Sequence, residues 1–299
     1  MASKQRVICG LSVAAVWLAV IFLLPFWTLA SLVAVSAGVC LYELCAMLKK
    51  GGYVLPFWEL LGATALWFAN THCAWVSPMP LLAVMVAALF FRVLLDSKVQ
   101  KPMETATFTV VSFLYIPVML SFFITLVSQF SVTAVDGLSI TTNYGPGIFV
   151  AFVLALVTKM SDTGGYFVGS AIGKHKMCPR LSPGKSWEGT AGGYTFSLVT
   201  AGIVVVCAHL FADATVLSGI RAMTNSLGAT LWFFFSIIVL VTVGICGDLL
   251  ESLFKRQCGV KDSSALFPAM GGFFDTFDSI IFIPATMLFL IEVGKKLLA

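Results

Sequence analysis

Long apolar runs recur along the whole chain, and they constrain its fold more than any other feature. Of the 299 residues, 59% are hydrophobic and only 11% are charged, whereas a soluble domain usually has about 25% charged residues. So few charges cannot cover the surface of a water-soluble globule, and this composition also excludes a disordered or fibrous protein. The sequence therefore predicts an all-α polytopic membrane protein.

The number of spans follows from the length of the runs, because a membrane-spanning helix needs roughly 20 apolar residues. About nine runs qualify: 7–24, 26–48, 53–70, 73–91, 107–130, 146–160, 189–211, 226–250 and 271–293. The first resembles a signal peptide, but no convincing cleavage site separates it from the second, so we expect an uncleaved span. The short run 146–160 is expected to end below the membrane surface or to lead into a re-entrant turn.

The distribution of Lys and Arg predicts the orientation, because cytoplasmic loops carry most of these residues. With the N-terminus in the cytoplasm, nine spans leave 15 of the 18 Lys and Arg residues on the cytoplasmic side and 3 on the other. The C-terminus then lies outside. The chain has no transit-peptide features, which favours a multi-pass protein of a bacterial-type inner membrane whose site faces the cytoplasm; an organelle membrane is the alternative.

The runs and loops also suggest a functional division of the chain. Residues 1–140 would supply about five N-terminal transmembrane helices. Residues 141–299 would form a catalytic transmembrane region with two cytoplasmic loops, at 161–188 and 251–271, where polar residues concentrate.

Acidic residues near the second loop predict a metal site. Asp248, Ser252 and Lys255 have helical i, i+4, i+7 spacing and would line one face, while Asp275 and Asp278 lie in the next apolar run. A carboxylate at membrane depth is costly and is by default functional. Because Mg²⁺ prefers oxygen ligands together with substrate phosphates, we interpret the three aspartates as magnesium ligands.

Simpler structural interpretations remain open for some of these acids. Asp275 and Asp278 can be satisfied by pairing with Lys255 or Lys261, although pairing alone does not explain three acids beside a Gly-Gly pair. Glu251 precedes Lys255 by four residues, so a plain ion pair explains it as well as a catalytic role does.

Other polar residues give weaker signals. Glu43 and Glu59 lie within apolar runs near the cytoplasmic side, and we favour a structural or lipid-headgroup role for them. The three histidines are scattered and are interpreted as non-catalytic. The eight cysteines form no CxxC pair and no Cys/His cluster, so neither a zinc site nor a disulfide framework is expected.

The first cytoplasmic loop is rich in glycine and basic residues. Its glycines, at 164, 165, 169 and 173, would let backbone N–H groups approach an anion. Lys174 and Lys185 add positive charge, Ser182 begins a Ser-Pro turn, and Ser186 can cap the next helix. A solvated positive loop that touches anionic headgroups is the simpler interpretation.

The residues from 252 to 278 resemble the C-terminal motif of the CDP-diacylglycerol synthase family, also called phosphatidate cytidylyltransferases. The matching positions are Ser252, Lys255, Arg256, Lys261, Asp262, Ser264, Phe267, Pro268, Gly271, Gly272, Asp275 and Asp278. Gly247-Asp248 and the stretch 182–189 also look like the family, and the resemblance is clear over about residues 145–290.

Two positions depart from the family's motif. Met270 replaces a histidine and Thr276 replaces an arginine. Methionine cannot exchange protons, so we infer that the first position tunes or packs the site. The second change removes one phosphate-binding charge.

The resemblance implies transfer of CMP from CTP to phosphatidate, giving CDP-diacylglycerol and pyrophosphate. Lys255, Arg256 and Lys261 would bind phosphates, and Asp262 would reach the metal or orient Lys261. Lys174, Ser182, Lys185 and Ser252 would contact substrate. Besides the Mg²⁺ expected from the carboxylates, the family implies a second, monovalent cation such as K⁺, and a homodimer; no nucleic-acid partner is expected.

Three alternatives remain at this stage. A relative could use CTP as a kinase or cytidylyltransferase on an isoprenoid alcohol or an ether lipid. An ion or phosphate transporter would show broken helices in matching halves and acids spread through the midplane, whereas these acids gather at the cytoplasmic end. A non-catalytic homologue would have lost function through the two departures.

Overall fold

The structure is a computed structural model, and it describes residues 26–136, 139–264, 266 and 271–298. The first predicted span, 7–24, and Met270 lie outside the described residues. Within them the chain forms two compact units. The first comprises residues 26–124 and 250–281, and the second comprises residues 125–249 and 282–298.

The first unit contains four complete helices of the N-terminal half, one π-helical turn and the short helix of the late motif. These are α1 (Phe26–Lys50), α2 (Phe57–Cys73), α3 (Pro78–Leu94), α4 (Pro102–Phe113), the π turn (Leu114–Val118) and α10 (Phe274–Phe277). It also takes the first half of α5 (Met119–Gln129) and the last turns of α9 (Leu227–Gln257).

The second unit contains most of the later helices and two antiparallel hairpins. Its elements are β1 (Val132–Asp136), β2 (Ser139–Asn143), α6 (Gly145–Ile172), β3 (Lys176–Cys178), β4 (Ser182–Ser186), α7 (Trp187–Leu210), a 3₁₀ turn (Thr215–Leu217), α8 (Ser218–Met223) and α11 (Ile283–Leu298). Both hairpins are short, so the helical class predicted from the sequence holds.

Prolines and caps set several helix boundaries. Pro78 and Pro102 occupy the first turns of α3 and α4, where the missing N–H has no intrahelical partner in any case. Pro117 lies inside the long helical segment 102–129, and the chain forms its π turn there. Ser186 accepts a hydrogen bond from the Gly189 amide at 3.1 Å and caps α7, as the sequence predicts.

Five of the described helical segments are long and apolar enough to cross a membrane. They are Phe26–Lys50, Pro102–Gln129, Gly145–Ile172, Trp187–Leu210 and Leu227–Gln257. Pro78–Leu94 is a shorter apolar helix. The chain is therefore an all-α membrane protein with several spans, while the count of nine and the placement of the termini stay predictions.

Helix lengths differ from the apolar runs at functionally relevant places. Helix α6 does not stop near residue 160 but continues to Ile172, and α9 continues to Gln257. Much of the polar sequence assigned to loops 161–188 and 251–271 is thus helical. The last apolar run is divided, since α10 ends at Phe277 and α11 begins at Ile283.

Glycines explain why α6 extends so far. Helices α6 and α7 cross closely, and a Cβ on Gly192 would lie 2.9 Å from the Gly164 carbonyl oxygen. Small residues at such a crossing let two membrane helices pack backbone to backbone. The residues Gly164, Gly165 and Gly169 therefore belong to a helix interface, and the sequence-based view of them as an anion-binding loop is wrong.

Candidate active site

A buried lysine forms the centre of the polar cluster in the first unit. The Lys255 ammonium lies 2.5 Å from Oε2 of Glu251 and 3.1 Å from Oδ1 of Asp275, and its side chain is 14% exposed. The expected ion pairs of Lys255 with Glu251 and with Asp275 are therefore confirmed. Because Glu251 is 0% exposed, its charge depends on this lysine for compensation.

Asp275 also organises the backbone around it. Its carboxylate accepts hydrogen bonds from the amides of Ser263 at 3.1 Å and Gly272 at 2.6 Å. Gly271 has a φ of +92°, which favours glycine, and a Cβ there would collide with the Asp275 carboxylate. The Gly-Gly pair of the motif thus allows the chain to fold around this acid. A direct role for Asp275 as a metal ligand stays a prediction.

Two buried carboxylates in the same unit have the chemistry of a metal site. Asp278 is 7% exposed, and it and Glu251 offer oxygen atoms within 4.8 Å of one another. Oxygen donors at this separation suit a hard divalent cation. Ser252, which follows Glu251 on α9, is also buried. The sequence predicted Asp248, Asp275 and Asp278 as ligands, and the structure adds Glu251 to these candidates.

Glu43 is the site residue whose contacts the sequence missed. It lies on α1, is 3% exposed, and accepts four hydrogen bonds from residues 263, 264, 273 and 274. A charged residue inside the apolar run 26–48 was the available signal. Its partners lie more than 200 residues away in the sequence, so spacing alone could not reveal them.

The remaining predicted residues of the late motif are more accessible. Arg256, Lys261 and Asp262 are exposed, so they do not belong to the buried cluster. Thr276 is half-buried, and its hydroxyl donates to the Gly272 carbonyl oxygen at 3.4 Å. At this departure from the family's motif, threonine therefore makes a local backbone contact.

The second unit carries the other predicted residues. Lys185, on β4, lies 2.7 Å from Oδ2 of Asp248, and their side chains are 23% and 28% exposed. This contact joins a predicted substrate-binding lysine to a predicted metal ligand. Ser182 begins the same strand and pairs with Cys178 in the β3–β4 hairpin.

Glu188 anchors the beginning of this hairpin. Its carboxylate accepts hydrogen bonds from the amides of Lys174 and His175, both at 3.2 Å, and contacts the His175 ring at 2.5 Å. The Lys174 side chain remains exposed. The scattered positions of the three histidines predict that they are non-catalytic. The pairing with Glu188 gives His175 a local structural contact.

Comparisons with known proteins decide the family. A family model described as "Cytidylyltransferase family" matches residues 4–293. The chain belongs to the cytidylyltransferase family. A phosphatidate cytidylyltransferase of Bacillus subtilis is 30% identical over 306 residues, covering 97% of this chain and 98% of that protein.

Two further phosphatidate cytidylyltransferases match this chain over different lengths. The phosphatidate cytidylyltransferase of Mycobacterium bovis is 31% identical over 296 residues, covering 93% of this chain and 84% of that protein. The one from Haemophilus influenzae is 42% identical over 134 residues, which is 45% of this chain and 42% of the relative. The match to the Haemophilus protein thus spans less than half of its length.

The geometry suits phosphoryl chemistry of the kind that this family's name describes. Buried carboxylates can hold a divalent cation, and a fixed lysine can face phosphate oxygens, while exposed basic residues can recruit a polyanion from water. Catalysis of this kind depends on positioning and electrostatics more than on a strong general base.

Proposed function

We propose that the protein is a membrane-embedded phosphatidate cytidylyltransferase of phospholipid biosynthesis. A phosphate oxygen of phosphatidate attacks the α-phosphorus of CTP. A new phosphorus–oxygen bond forms while the bond to the bridging oxygen breaks, and that electron pair leaves with pyrophosphate. The product, CDP-diacylglycerol, stays in the bilayer.

The observation that carries this proposal is the buried cluster of Lys255 with Glu251, Asp275 and Asp278 in the first unit. The attacking phosphate oxygen is already anionic near neutral pH, so the reaction needs no strong base. Its difficulty is to hold two polyanions together and to stabilise charge on pyrophosphate. Fixed charges in a preorganised site meet that need.

Magnesium is the cation that this donor set fits best. Glu251 and Asp278 would hold it, and the sequence adds Asp248 and Asp275 as further candidate ligands. When bound, Mg²⁺ would neutralise part of the charge on the triphosphate. A monovalent cation such as K⁺ and a homodimeric state are proposed only from the resemblance to the family.

The basic residues of the site fall into two groups, one largely buried and one accessible to solvent. Lys255 is fixed by its two ion pairs and would orient a phosphate group. Exposed Arg256 and Lys261 would draw CTP from water, with Asp262 orienting Lys261 or reaching the metal. In the second unit, residues Lys174, Ser182 and Lys185 of the hairpin segment would contact the nucleotide.

The proposed topology has nine spans, a cytoplasmic N-terminus, an outside C-terminus and a site that faces the cytoplasm of a bacterial-type inner membrane. Single-cysteine labelling in intact cells tests it. Lys176→Cys in the hairpin should resist a membrane-impermeant thiol reagent, and Asp213→Cys between α7 and α8 should react. The reverse pattern would overturn the orientation.

The activity is tested with purified protein in detergent, phosphatidate, Mg²⁺ and CTP labelled at the α-phosphate. Label should enter the lipid phase with wild type and fall by at least about 10²-fold with Asp278→Asn. Asp213→Asn is the matched control, because Asp213 is exposed and lies away from the motif, and it should behave as wild type.

The label position and the lipid acceptor separate the alternatives. Lipid labelled only from γ-labelled CTP would mean a kinase. Transfer of α-label to an isoprenoid or ether lipid, but not to phosphatidate, would mean a different acceptor. A folded wild type that labels none of these lipids would reject the proposed activity.

A further inference from the structure

Glu43 is a buried carboxylate that the chemistry proposed above does not use. It lies on α1, seven residues before the helix ends at Lys50, and only 3% of its surface is exposed. Burying a carboxylate costs several kcal/mol unless hydrogen bonds or opposite charges compensate it. Hydrogen-bond donors therefore have to satisfy both carboxylate oxygens of Glu43.

Four donors converge on its two oxygen atoms. Oε1 accepts from the Ser264 hydroxyl at 2.6 Å and from the Phe273 amide at 3.0 Å. Oε2 accepts from the Ser263 hydroxyl at 2.9 Å and from the Phe274 amide at 2.8 Å. Each oxygen thus receives one hydroxyl and one backbone N–H.

The four donors bracket the segment that leads into the candidate site. Ser263 and Ser264 follow the end of α9, whereas Phe273 precedes α10 as its N-cap and Phe274 begins the helix. Glu43 therefore ties together two stretches of chain that are about ten residues apart.

The same two stretches also hold Asp275. Ser263 donates its hydroxyl to Glu43 and its backbone amide to Asp275. Gly272 donates its amide to Asp275, and a Cβ on Gly272 would collide with the Glu43 carboxylate. The two acids therefore share a support, and a displacement of Glu43 would be transmitted to Asp275 and its partner Lys255.

We propose that Glu43 is a positioning residue for cytidylyl transfer: it clamps residues 263–264 to residues 273–274 and thereby fixes Asp275 and its partner Lys255 in their working geometry. The inference rests on the proposed function. Glu43 itself does not touch substrate; it acts through the groups that do, as supporting residues in preorganised sites act.

The donor set explains why a carboxylate is needed. In Glu43→Gln, one oxygen becomes an NH₂ group, which only donates. A serine hydroxyl can rotate to accept from that group, but the Phe273 or Phe274 amide facing it cannot. Either orientation of the glutamine therefore leaves one buried backbone N–H without an acceptor. Glu43→Asp retains both acceptors on a shorter side chain.

The kinetic test compares three variants in the label-transfer assay. Glu43→Gln should lower kcat by about 10- to 100-fold and raise the Mg²⁺ concentration for half-maximal rate, with the KM for CTP changing less than about threefold. Glu43→Asp should recover part of the lost kcat. Glu59→Gln is the matched control: Glu59 is on α2 and its side chain is 40% exposed, and the variant should resemble wild type.

Hydrogen exchange in detergent tests the clamp without using activity. The backbone amides of Phe273 and Phe274 should lose protection in Glu43→Gln and keep it in Glu59→Gln. If the wild type transfers no label, the proposed function fails while this measurement still decides whether Glu43 clamps the segment. Unchanged protection together with wild-type kcat and Mg²⁺ dependence would overturn the inference.

A second variant covers the case in which Glu43→Gln does not fold. The double variant Ser263→Ala/Ser264→Ala removes two donors and leaves both backbone bonds to Glu43. It should fold and show a smaller decrease in kcat, about three- to tenfold, because each lost hydrogen bond is worth only about a factor of a few. A folded double variant with wild-type kinetics would contradict the positioning role.

Discussion

The buried cluster of the first unit and the hairpin segment of the second hold their ionic residues in opposite ways. In the first, Glu43 and Glu251 are 3% and 0% exposed, and each has close polar or cationic partners. In the second, the side chains of Lys174 and His175 are exposed, and Lys185 is only partly covered beside Asp248. The buried cluster of the first unit therefore presents fixed charges, whereas the hairpin segment presents side chains that can move toward an anion.

This difference suggests that the buried charges mainly control stability and turnover, whereas the exposed charges mainly control substrate affinity. Buried charges are expensive to bring together, and removing one partner leaves the other uncompensated. Exposed charges contribute little to folding because water and salt screen them. Substitutions of the buried ionic residues of the first unit should therefore reduce stability and turnover together, whereas substitutions of Lys174 or Lys185 should change mainly substrate binding.

The largest effect is expected from Lys255→Met. Glu251 and Asp275 would both lose their ammonium partner, and breaking such a buried pair costs about 3–5 kcal/mol. Thermal unfolding in detergent and label transfer measure the two consequences. Lys295→Met is the control, because Lys295 pairs with Glu292 at an exposed site. Stability within about 1 kcal/mol of wild type would contradict a buried, compensated cluster.

The next largest effect should come from the helix crossing in the second unit. In Gly192→Ala, the new Cβ would collide with Val168 and press on the Gly164 carbonyl, which should cost about 1–3 kcal/mol. Gly202→Ala is a matched control on the same helix, since nothing lies within 4 Å of its added Cβ. Equal unfolding temperatures for the two variants would show that α6 and α7 do not pack through glycine.

A smaller effect, confined to binding, is expected from Lys185→Met. The KM for CTP should rise about tenfold, equivalent to about 1.4 kcal/mol, because a positive charge that faces the nucleotide is removed. Steady-state kinetics with varied CTP measure it, with Lys176→Met on the same hairpin as the control. A lower kcat at unchanged KM would mean that Lys185 acts like the buried charges of the first unit. It would contradict the proposed difference between the two units.

The smallest effect is expected from Glu59→Gln. Glu59 lies in the first unit, but its ion pair with Arg92 is exposed, with side chains 40% and 47% accessible. Exposed pairs contribute about 0–1 kcal/mol, so the unfolding temperature should barely move. A large shift would mean that location in the first unit, and not burial, controls the cost of removing a charge.

Local sequence features predicted part of this structure well. The spacing of Ser252 and Lys255 placed both on the helix that also carries Asp248, and Ser186 marked a helix cap. Such features depend on neighbours in the chain, so spacing reveals them. The class of the protein followed in the same way from run length and charge content.

Features that depend on distant contacts were not predictable. The stretch 161–172 has glycines and polar residues that favour a loop in isolation, yet it is helical because α7 packs against it. Glu43 attracted notice as an acid in an apolar run, but its partners were hidden by a separation of more than 200 residues. A charged residue in an apolar run indicates that such a site exists, but only the fold identifies the residues that it contacts.

Binding of a divalent cation to the buried acids of the first unit is tested most directly by electron paramagnetic resonance with Mn²⁺, which favours the same oxygen ligands as Mg²⁺. In the presence of CTP, wild type and Asp213→Asn should deplete the free Mn²⁺ signal equally, and Asp278→Asn should bind at least about tenfold more weakly. Equal Mn²⁺ binding by a folded Asp278→Asn variant would contradict a metal site built on Asp278 and Glu251.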